Sequence, residues 1–426
     1  MPSYVIRGGM PLRGRTDIQG SKNSALPILA AAYLVNGRSE IHNCPSLTDI
    51  SATVDILVML GCTVERYGDT VVVDSTDAFG YEIPEELMRE MRSSVIFLGA
   101  LLGKTGKAVI YPPGGCDIGL RPIDLHLSSV RALGATVENE HGRLECSSDR
   151  GLLGTEITLA FPSVGATENI ILAACLAKGT TVIVNAAREP EIADLQDFLN
   201  SAGARIRGGG ESVITVEGVS RLYGTQHTVI PDRIVCATYL AAAAMTRGEI
   251  ITGNVIPAHL AGVLPLFREA GCDIRCGSRE IKLTAPARLR RIESILTQPY
   301  PGFPTDLQAP FTALCALAEG TSVITESIFE CRFKHIPALI RMGAKIRTSG
   351  NTAVIEGVNE LYGASVVSPD LRGGCSLMLA GLAARGVTTV SGTEHIDRGY
   401  ENPAEVFNLL GGDVQRKDGE DDEEAR

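Results

Sequence analysis

The chain has no tryptophan, and aromatic residues fill only 5% of its 426 positions. Its core must be aliphatic, drawn from a hydrophobic fraction of 44%. Runs of 18 or more apolar residues are absent, so nothing reads as a membrane-spanning helix. The start, MPSYVIRGGM, lacks the apolar stretch of a secretory leader, and a cytoplasmic protein is expected. None of the 11 cysteines forms a CxxC pair. An odd count without framework spacing reads as reduced thiols. Cys272 and Cys276 are four apart, but no second pair follows to complete a zinc site. A basic surplus is missing too: 39 Lys+Arg against 50 Asp+Glu leave −11, which disfavours a broad nucleic-acid or anionic-membrane surface. Residues 418–426 (DGEDDEEAR) hold six acids and one Arg, so the remainder carries −11 + 5 = −6. That acidic tail is expected to be disordered.

What the chain does have is repetition. An Ala/Leu-rich segment, a glycine and a β-branched run recur as ILAAAYLVNGRSEI, FLGALLGKTGKAVIY, ILAACLAKGTTVIV, YLAAAAMTRGEIIT, ALCALAEGTSVIT and LAGLAARGVTTV. Their glycines, at 37, 106, 179, 248, 320 and 386, are spaced 69, 73, 69, 72 and 66 apart. A second glycine series runs in register at 61, 134, 203, 271, 343 and 411. Six repeats of about 70 residues are therefore present. SALPILAAAYLV is apolar all round, which predicts a buried helix, with Gly37 as its left-handed cap. A short strand follows, then a second helix capped near Ser46 or Thr48 and closed by Gly61. TVERYGDTVVV alternates around Gly68-Asp69 and predicts a hairpin. The unit reads β-α-β-α-β-β, and the fold class is α/β.

The Pro-Asp signal in VIPDRI (229–234) suggests a crossover between two halves of three repeats. The strand SYVIRG (3–8) precedes the first helix and would complete the last repeat. The expected domains are 22–231, and 1–21 with 232–417. Six βα repeats with acidic charge also describe a DNA sliding clamp. Such a ring needs polar, basic helix faces towards its channel; the first helices here are wholly apolar, which favours packed domains and a ligand between them.

Several irregular segments carry chemistry. GSKNS (20–24) reads either as an ordinary helix start with a Lys, or as a phosphate held by helix N–H groups and Lys22. In YPPGGCDIGLRP (111–122) Cys116 follows two glycines in a polar loop, where a reactive thiol beside Arg121 competes with a packing role. Asp306 in PYPGFPTDLQAPF is either a helix N-cap or a general base. Arg92, Arg332, Arg372 and Arg398 are each isolated in sequence; several sit beside glycine or at helix starts and would suit an anion pocket if the fold gathers them. His126 and His395 read as structural hydrogen-bonding groups.

Taken together, GSKNSALPIL, PPGGCDIGLRPIDLHL, SVGATENIILAA, REPEIADLQDFL, PYPGFPTDLQA, DLRGGCSLMLAGL and HIDRGYE resemble the UDP-N-acetylglucosamine enolpyruvyl transferase (1-carboxyvinyltransferase) family, from about residue 4 to 413. The resemblance implies an inverted α/β prism, two domains of three repeats each. It implies transfer of enolpyruvyl from phosphoenolpyruvate to the sugar 3′-hydroxyl, release of phosphate, a role in peptidoglycan synthesis, and no metal or organic cofactor. By matching motifs, Lys22 and Asn23 would meet both substrates. Cys116 would be the mobile-loop general acid and the site of fosfomycin attachment. Arg121, Pro122, Ile123, Asp124 and Leu125, with Ser163, Val164, Gly165 and Ile328, would hold the nucleotide sugar. Asp306 would be the base, while Arg92, Arg332, Arg372 and Arg398 would bind phosphoenolpyruvate. Lys22 and Arg398 would share in catalysis. The chain departs from the family at Cys331, usually Asn, at Pro310, and at Gly373-Gly374, which would loosen Arg372. The nearest enzymatic rival is the related shikimate-phosphate transferase; the non-enzymatic one is a degenerate sugar-nucleotide-binding regulator. PPGGC and RPIDLH favour the nucleotide sugar, and the intact Lys22, Cys116, Asp306 and Arg398 favour an enzyme.

Overall fold

The computed structural model describes residues 2–114 and 122–418. Cys116, Arg121 and the acidic tail from residue 419 lie outside the described residues. The chain divides into two compact units, residues 20–114 with 122–230, and residues 2–19 with 231–418. Six long buried helices organise them: α1 (Lys22–Leu34), α2 (Phe97–Thr105) and α3 (Val164–Ala174) in the first unit, then α4 (Arg233–Met245), α5 (Gln308–Ala316) and α6 (Leu371–Ala383) in the second. Among the described residues, no helix is long and apolar enough to cross a membrane.

The repeat around α3 shows the logic. Strand Glu156–Thr158 leads into α3, and Thr180–Val184 returns parallel to it. Parallel neighbours need such a crossover, and the helix covers the sheet it connects. Helix Pro190–Ser201 follows on the outside, with a one-sided apolar pattern. The hairpin strands Arg205–Arg207 and Val213–Glu217 then complete an antiparallel edge. Among the described residues, five four-stranded sheets and one three-stranded sheet repeat this order, and Glu82 bridges Val109 at the edge of the smaller one.

Each unit closes on itself with a strand borrowed from far along the chain. Gln226–Thr228 lies parallel to Arg38–His42 in the first unit. In the second, Arg13–Asp17 lies parallel to Glu249–Gly253, and Ser3–Arg7 runs antiparallel between Val387–Ser391 and Asp413–Lys417. The N-terminal strand thus occupies the hairpin position of the sixth repeat.

The buried helices are largely apolar all round because each is enclosed by its neighbours and its sheet, with a few buried polar residues such as Asn169 of α3. Small residues let them approach: a Cβ at Gly99 of α2 would sit 2.3 Å from the Asn169 carbonyl oxygen of α3. Two local expectations fail. Gly37 does not cap α1; the helix ends on extended Val35, and Gly37 turns the chain with φ 127°, outside the left-handed helical well. The cap expected there is found at Gly106, φ 71°, after α2. Helix Thr48–Met59 starts after Leu47, without a side-chain cap from Ser46 or Thr48. The hairpin over Gly68-Asp69 forms, with Tyr67 opposite Thr70.

Candidate active site

In the first unit, the sequence-predicted residues collect where helices begin. The stretch Val95 to Gly99, where the chain enters α2, lies against Asn169 of α3, and Gly103 lies against Leu172 and Leu34 near the ends of α3 and α1. The three helices therefore run parallel, with their starts at one end. Helix starts present unpaired N–H groups and partial positive charge, which suits anions. Lys22 opens α1, and its Nζ lies 3.0 Å from Oδ2 of buried Asp49. Asn23 follows it. Arg92 opens the short turn Arg92–Ile96 that runs into α2. Ser163 caps α3, its Oγ accepting from the Ala166 N–H at 3.4 Å, and Val164 and Gly165 form the first turn.

Pro122 to Leu125 lead into helix Asp124–Ala132 and deliver His126 to the same place. A Cβ at Gly165 would lie 3.0 Å from His126 Cε1, so glycine admits the imidazole. Asn169 fixes the ring. Its Nδ2 donates to His126 Nδ1 (2.8 Å) and to the Val95 carbonyl (3.1 Å), while its Oδ1 accepts from the Gly99 N–H (2.6 Å). That makes Nδ1 the acceptor and places the proton on Nε2. Asp49 and Asn169 escaped sequence reasoning. The only signal was a polar residue inside an otherwise apolar helix, as in ATENIILAA.

In the second unit, the structure brings together residues that are 26 and 66 positions apart. Asp306 lies in the turn Thr305–Leu307 ahead of α5. One carboxylate oxygen accepts from Arg332 Nη2 (2.7 Å) and the other from Arg372 Nη2 (3.0 Å). Asp306 is therefore not the N-cap of α5. Asp370 and Asp232 do cap their helices, Asp370 accepting from the N–H groups of Arg372 and Gly373. Both arginines are 4% exposed, yet Arg332 Nε and Arg372 Nη1 have no acceptor among the described residues. Charged donors in so dry a place call for an anion. Arg372 lies over the Tyr400 ring at 5.3 Å and Arg332 over Phe329 at 5.4 Å. Burial works against the charge on Arg372, but Tyr400, Asp306 and Asp232 outweigh it and hold its pKa above the usual value.

Arg398 follows Asp397, which is anchored by Tyr4 (2.8 Å) and by Arg416 (2.8 Å), and it precedes Tyr400, the residue under Arg372. Ile328 donates its N–H to the Glu326 carboxylate at 2.8 Å. Cys331 is exposed beside buried Arg332. The glycines after Arg372 do not loosen it. A Cβ at Gly374 would sit 2.0 Å from Ser368 Oγ and 2.8 Å from Ile396 Cγ1, so they let the start of α6 pack tightly. Pro310 falls in the first turn of α5, where a missing N–H costs no helical bond. Behind the cluster His335 is fully buried; burial, aided by Arg332 and opposed by Asp370, pushes its pKa down to about 4 and keeps it neutral.

Over residues 6–407 the sequence matches the family described as EPSP synthase (3-phosphoshikimate 1-carboxyvinyltransferase). UDP-N-acetylglucosamine 1-carboxyvinyltransferase 2 of Caldanaerobacter subterraneus subsp. tengcongensis is 51% identical, across 98% of this chain and 100% of that protein. UDP-N-acetylglucosamine 1-carboxyvinyltransferase 1 of Symbiobacterium thermophilum is also 51% identical, across 97% and 95%. Among solved structures, the enolpyruvyl transferase NikO from Streptomyces tendae aligns with a TM-score of 0.89 at 24% identity, covering 98% of this chain and 99% of its own. EPSP synthase from Acinetobacter baumannii aligns at 0.75 and 20%, covering 98% and 100%. At those identities the structural likeness speaks for the α/β fold.

Proposed function

The chain belongs to the EPSP synthase family and, within it, to the UDP-N-acetylglucosamine 1-carboxyvinyltransferases, and from that premise we propose how its residues divide the work. The reaction transfers enolpyruvyl from phosphoenolpyruvate to the 3′-hydroxyl of UDP-N-acetylglucosamine and releases phosphate, the first committed step of peptidoglycan synthesis. It proceeds by addition and elimination. The hydroxyl loses its proton as its oxygen bonds to C2 of phosphoenolpyruvate, and the C3 methylene gains one. The tetrahedral adduct then loses a C3 proton and its phosphate, and the double bond returns.

Asp306 takes the hydroxyl proton. Its carboxylate is reachable, at 26% side-chain exposure. Arg332 and Arg372, with Arg398 and Arg92, hold the phosphate and carboxylate of phosphoenolpyruvate. Lys22 and Asn23 meet both substrates. Cys116 delivers the proton to C3, with Lys22 or Arg398 as the alternative donor. Pro122 to Leu125, Ser163 to Gly165, Ile328 and Arg121 hold the nucleotide sugar. We assign both clusters to the one reaction, catalysed in the cytoplasm by a chain whose described cysteines are all free thiols.

The observation that carries this reading is the Asp306 carboxylate shared by two buried arginines, each with an N–H that finds no acceptor among the described residues. A base next to fixed cations is what attack of a hydroxyl on a doubly anionic substrate needs. The test is phosphate release from phosphoenolpyruvate with UDP-N-acetylglucosamine or shikimate 3-phosphate as acceptor. Release with the nucleotide sugar alone supports the reading; release with shikimate 3-phosphate alone overturns it.

A further inference from the structure

We infer that Glu326 is a positioning residue that holds Asp306 in place; the inference rests on Asp306 being the base. Glu326 directly follows strand Thr321–Thr325 and is 2% exposed. Its Oε1 accepts from Thr297 Oγ1 (2.9 Å), the Ile328 N–H (2.8 Å) and the Phe329 N–H (3.1 Å), and its Oε2 accepts from Thr305 Oγ1 (2.8 Å). Thr297 Oγ1 in turn accepts from the Ser327 N–H at 2.8 Å. Among the described residues no cation pairs with Glu326. A buried carboxylate without a counter-ion is costly unless its lone pairs are filled, and here four donors fill them.

Those four donors belong to three segments of the site. Thr305 immediately precedes Asp306 in the same short turn. Ile328 is in the stretch assigned to the nucleotide sugar. Phe329 carries the ring against which Arg332 lies, and Arg332 reaches Asp306. One side chain thus ties the base, a sugar contact and a cation of the base's own ion pair into one frame. The two oxygens have separable jobs. The amide oxygen of a glutamine can take over at Oε1, where the two main-chain N–H groups admit only an acceptor. Its NH₂ then falls at Oε2 and inverts the link to Thr305, whose hydroxyl must stop donating. Glu326→Gln therefore disturbs the Asp306 turn while sparing the other contacts, and Thr305→Val cuts the same link from its other end.

Turnover of phosphoenolpyruvate and UDP-N-acetylglucosamine is to be measured for Glu326→Gln, Thr305→Val and Thr305→Ser, each alone and combined with Asp306→Ala, alongside melting temperatures. Expected are kcat losses of up to about 10²-fold for Glu326→Gln and Thr305→Val, the scale of a roughly 1 Å misplacement. KM for phosphoenolpyruvate should change far less, and Thr305→Ser should retain turnover. Neither loss should add to that of Asp306→Ala, because a residue acting through the base has nothing to act on without it. Wild-type kcat in both variants, or losses that multiply with Asp306→Ala, overturns the inference. If Glu326→Gln fails to fold, Thr305→Val decides alone. An Asp306→Ala enzyme with full turnover refutes the base assignment itself, whatever Glu326 does.

Discussion

Asp306 and its two arginines show what a residue list can and cannot convey. The carboxylate stood out in the chain because it follows a Pro/Gly turn ahead of a helix, where an N-cap was the plainer expectation. Its oxygens go instead to Arg332 and Arg372. Each arginine looked isolated, because what joins them is the meeting of two helix starts, a long-range consequence of the fold. Glu326 and Asn169 gave still less warning: both are buried polar groups inside β-branched or apolar runs, and main-chain atoms make up half of Glu326's partners and most of Asn169's. Cysteines can be sorted the same way. Burial pushes the Cys62 and Cys146 thiols up to about 11, and Cys175, Cys236, Cys272, Cys315 and Cys375 up to about 12. Thiolate is the reactive form, so these should resist a thiol reagent in the native protein at pH 7. Exposed Cys276 and Cys331 should label fast. Cys116, if it serves as the acid of the reaction, should label as well, and prior fosfomycin treatment should remove that one site. Labelling that fosfomycin leaves unchanged would contradict its role.

At the scale of elements, the start of α6 depends on closeness rather than on a favourable helix residue. Glycine at 373 and 374 looked like slack in the sequence, since glycine costs helices roughly 1 kcal/mol relative to alanine. The packing reverses that judgement. Gly374→Ala would press a methyl into Ser368 Oγ at 2.0 Å and Ile396 at 2.8 Å. Overpacking of this kind costs about 1–3 kcal/mol, and relieving it shifts the turn that carries Arg372. The expected result is a lower melting temperature together with a raised KM for phosphoenolpyruvate; a more stable variant with unchanged KM would mean the glycines are incidental. The same lesson applies to caps: the glycine register located the helix ends, but not whether a given glycine caps its helix, as Gly106 does, or turns the chain two residues later, as Gly37 does.

For the whole molecule, the six repeats were legible because a glycine recurs near the same two turns of each. Pairing of Ser3–Arg7 with the last repeat was anticipated from the order of elements. The parallel placements of Gln226–Thr228 and Arg13–Asp17 were not, because three-residue or polar strands such as QHT and RGRTD carry no alternating pattern to read. Stability of the second unit carries a pH signature from His335. Its pKa is about 4 in the folded chain against an ordinary 6.5, so the unfolded chain takes up the proton first. The neutral ring's contribution is complete above pH 6.5 and is lost as pH falls towards 4, by up to about 3 kcal/mol. His335→Gln should flatten the decline in melting temperature between pH 6.5 and 4.5; an unchanged slope would show that other groups govern it.

The proposed function rests on one carboxylate, Asp306, acting as a base among fixed cations. Phosphate release from phosphoenolpyruvate and UDP-N-acetylglucosamine by the Asp306→Ala chain tests that directly. With melting temperature retained, turnover should fall by about 10²-fold or more, the usual worth of a general base. Turnover equal to that of the unaltered chain would contradict it.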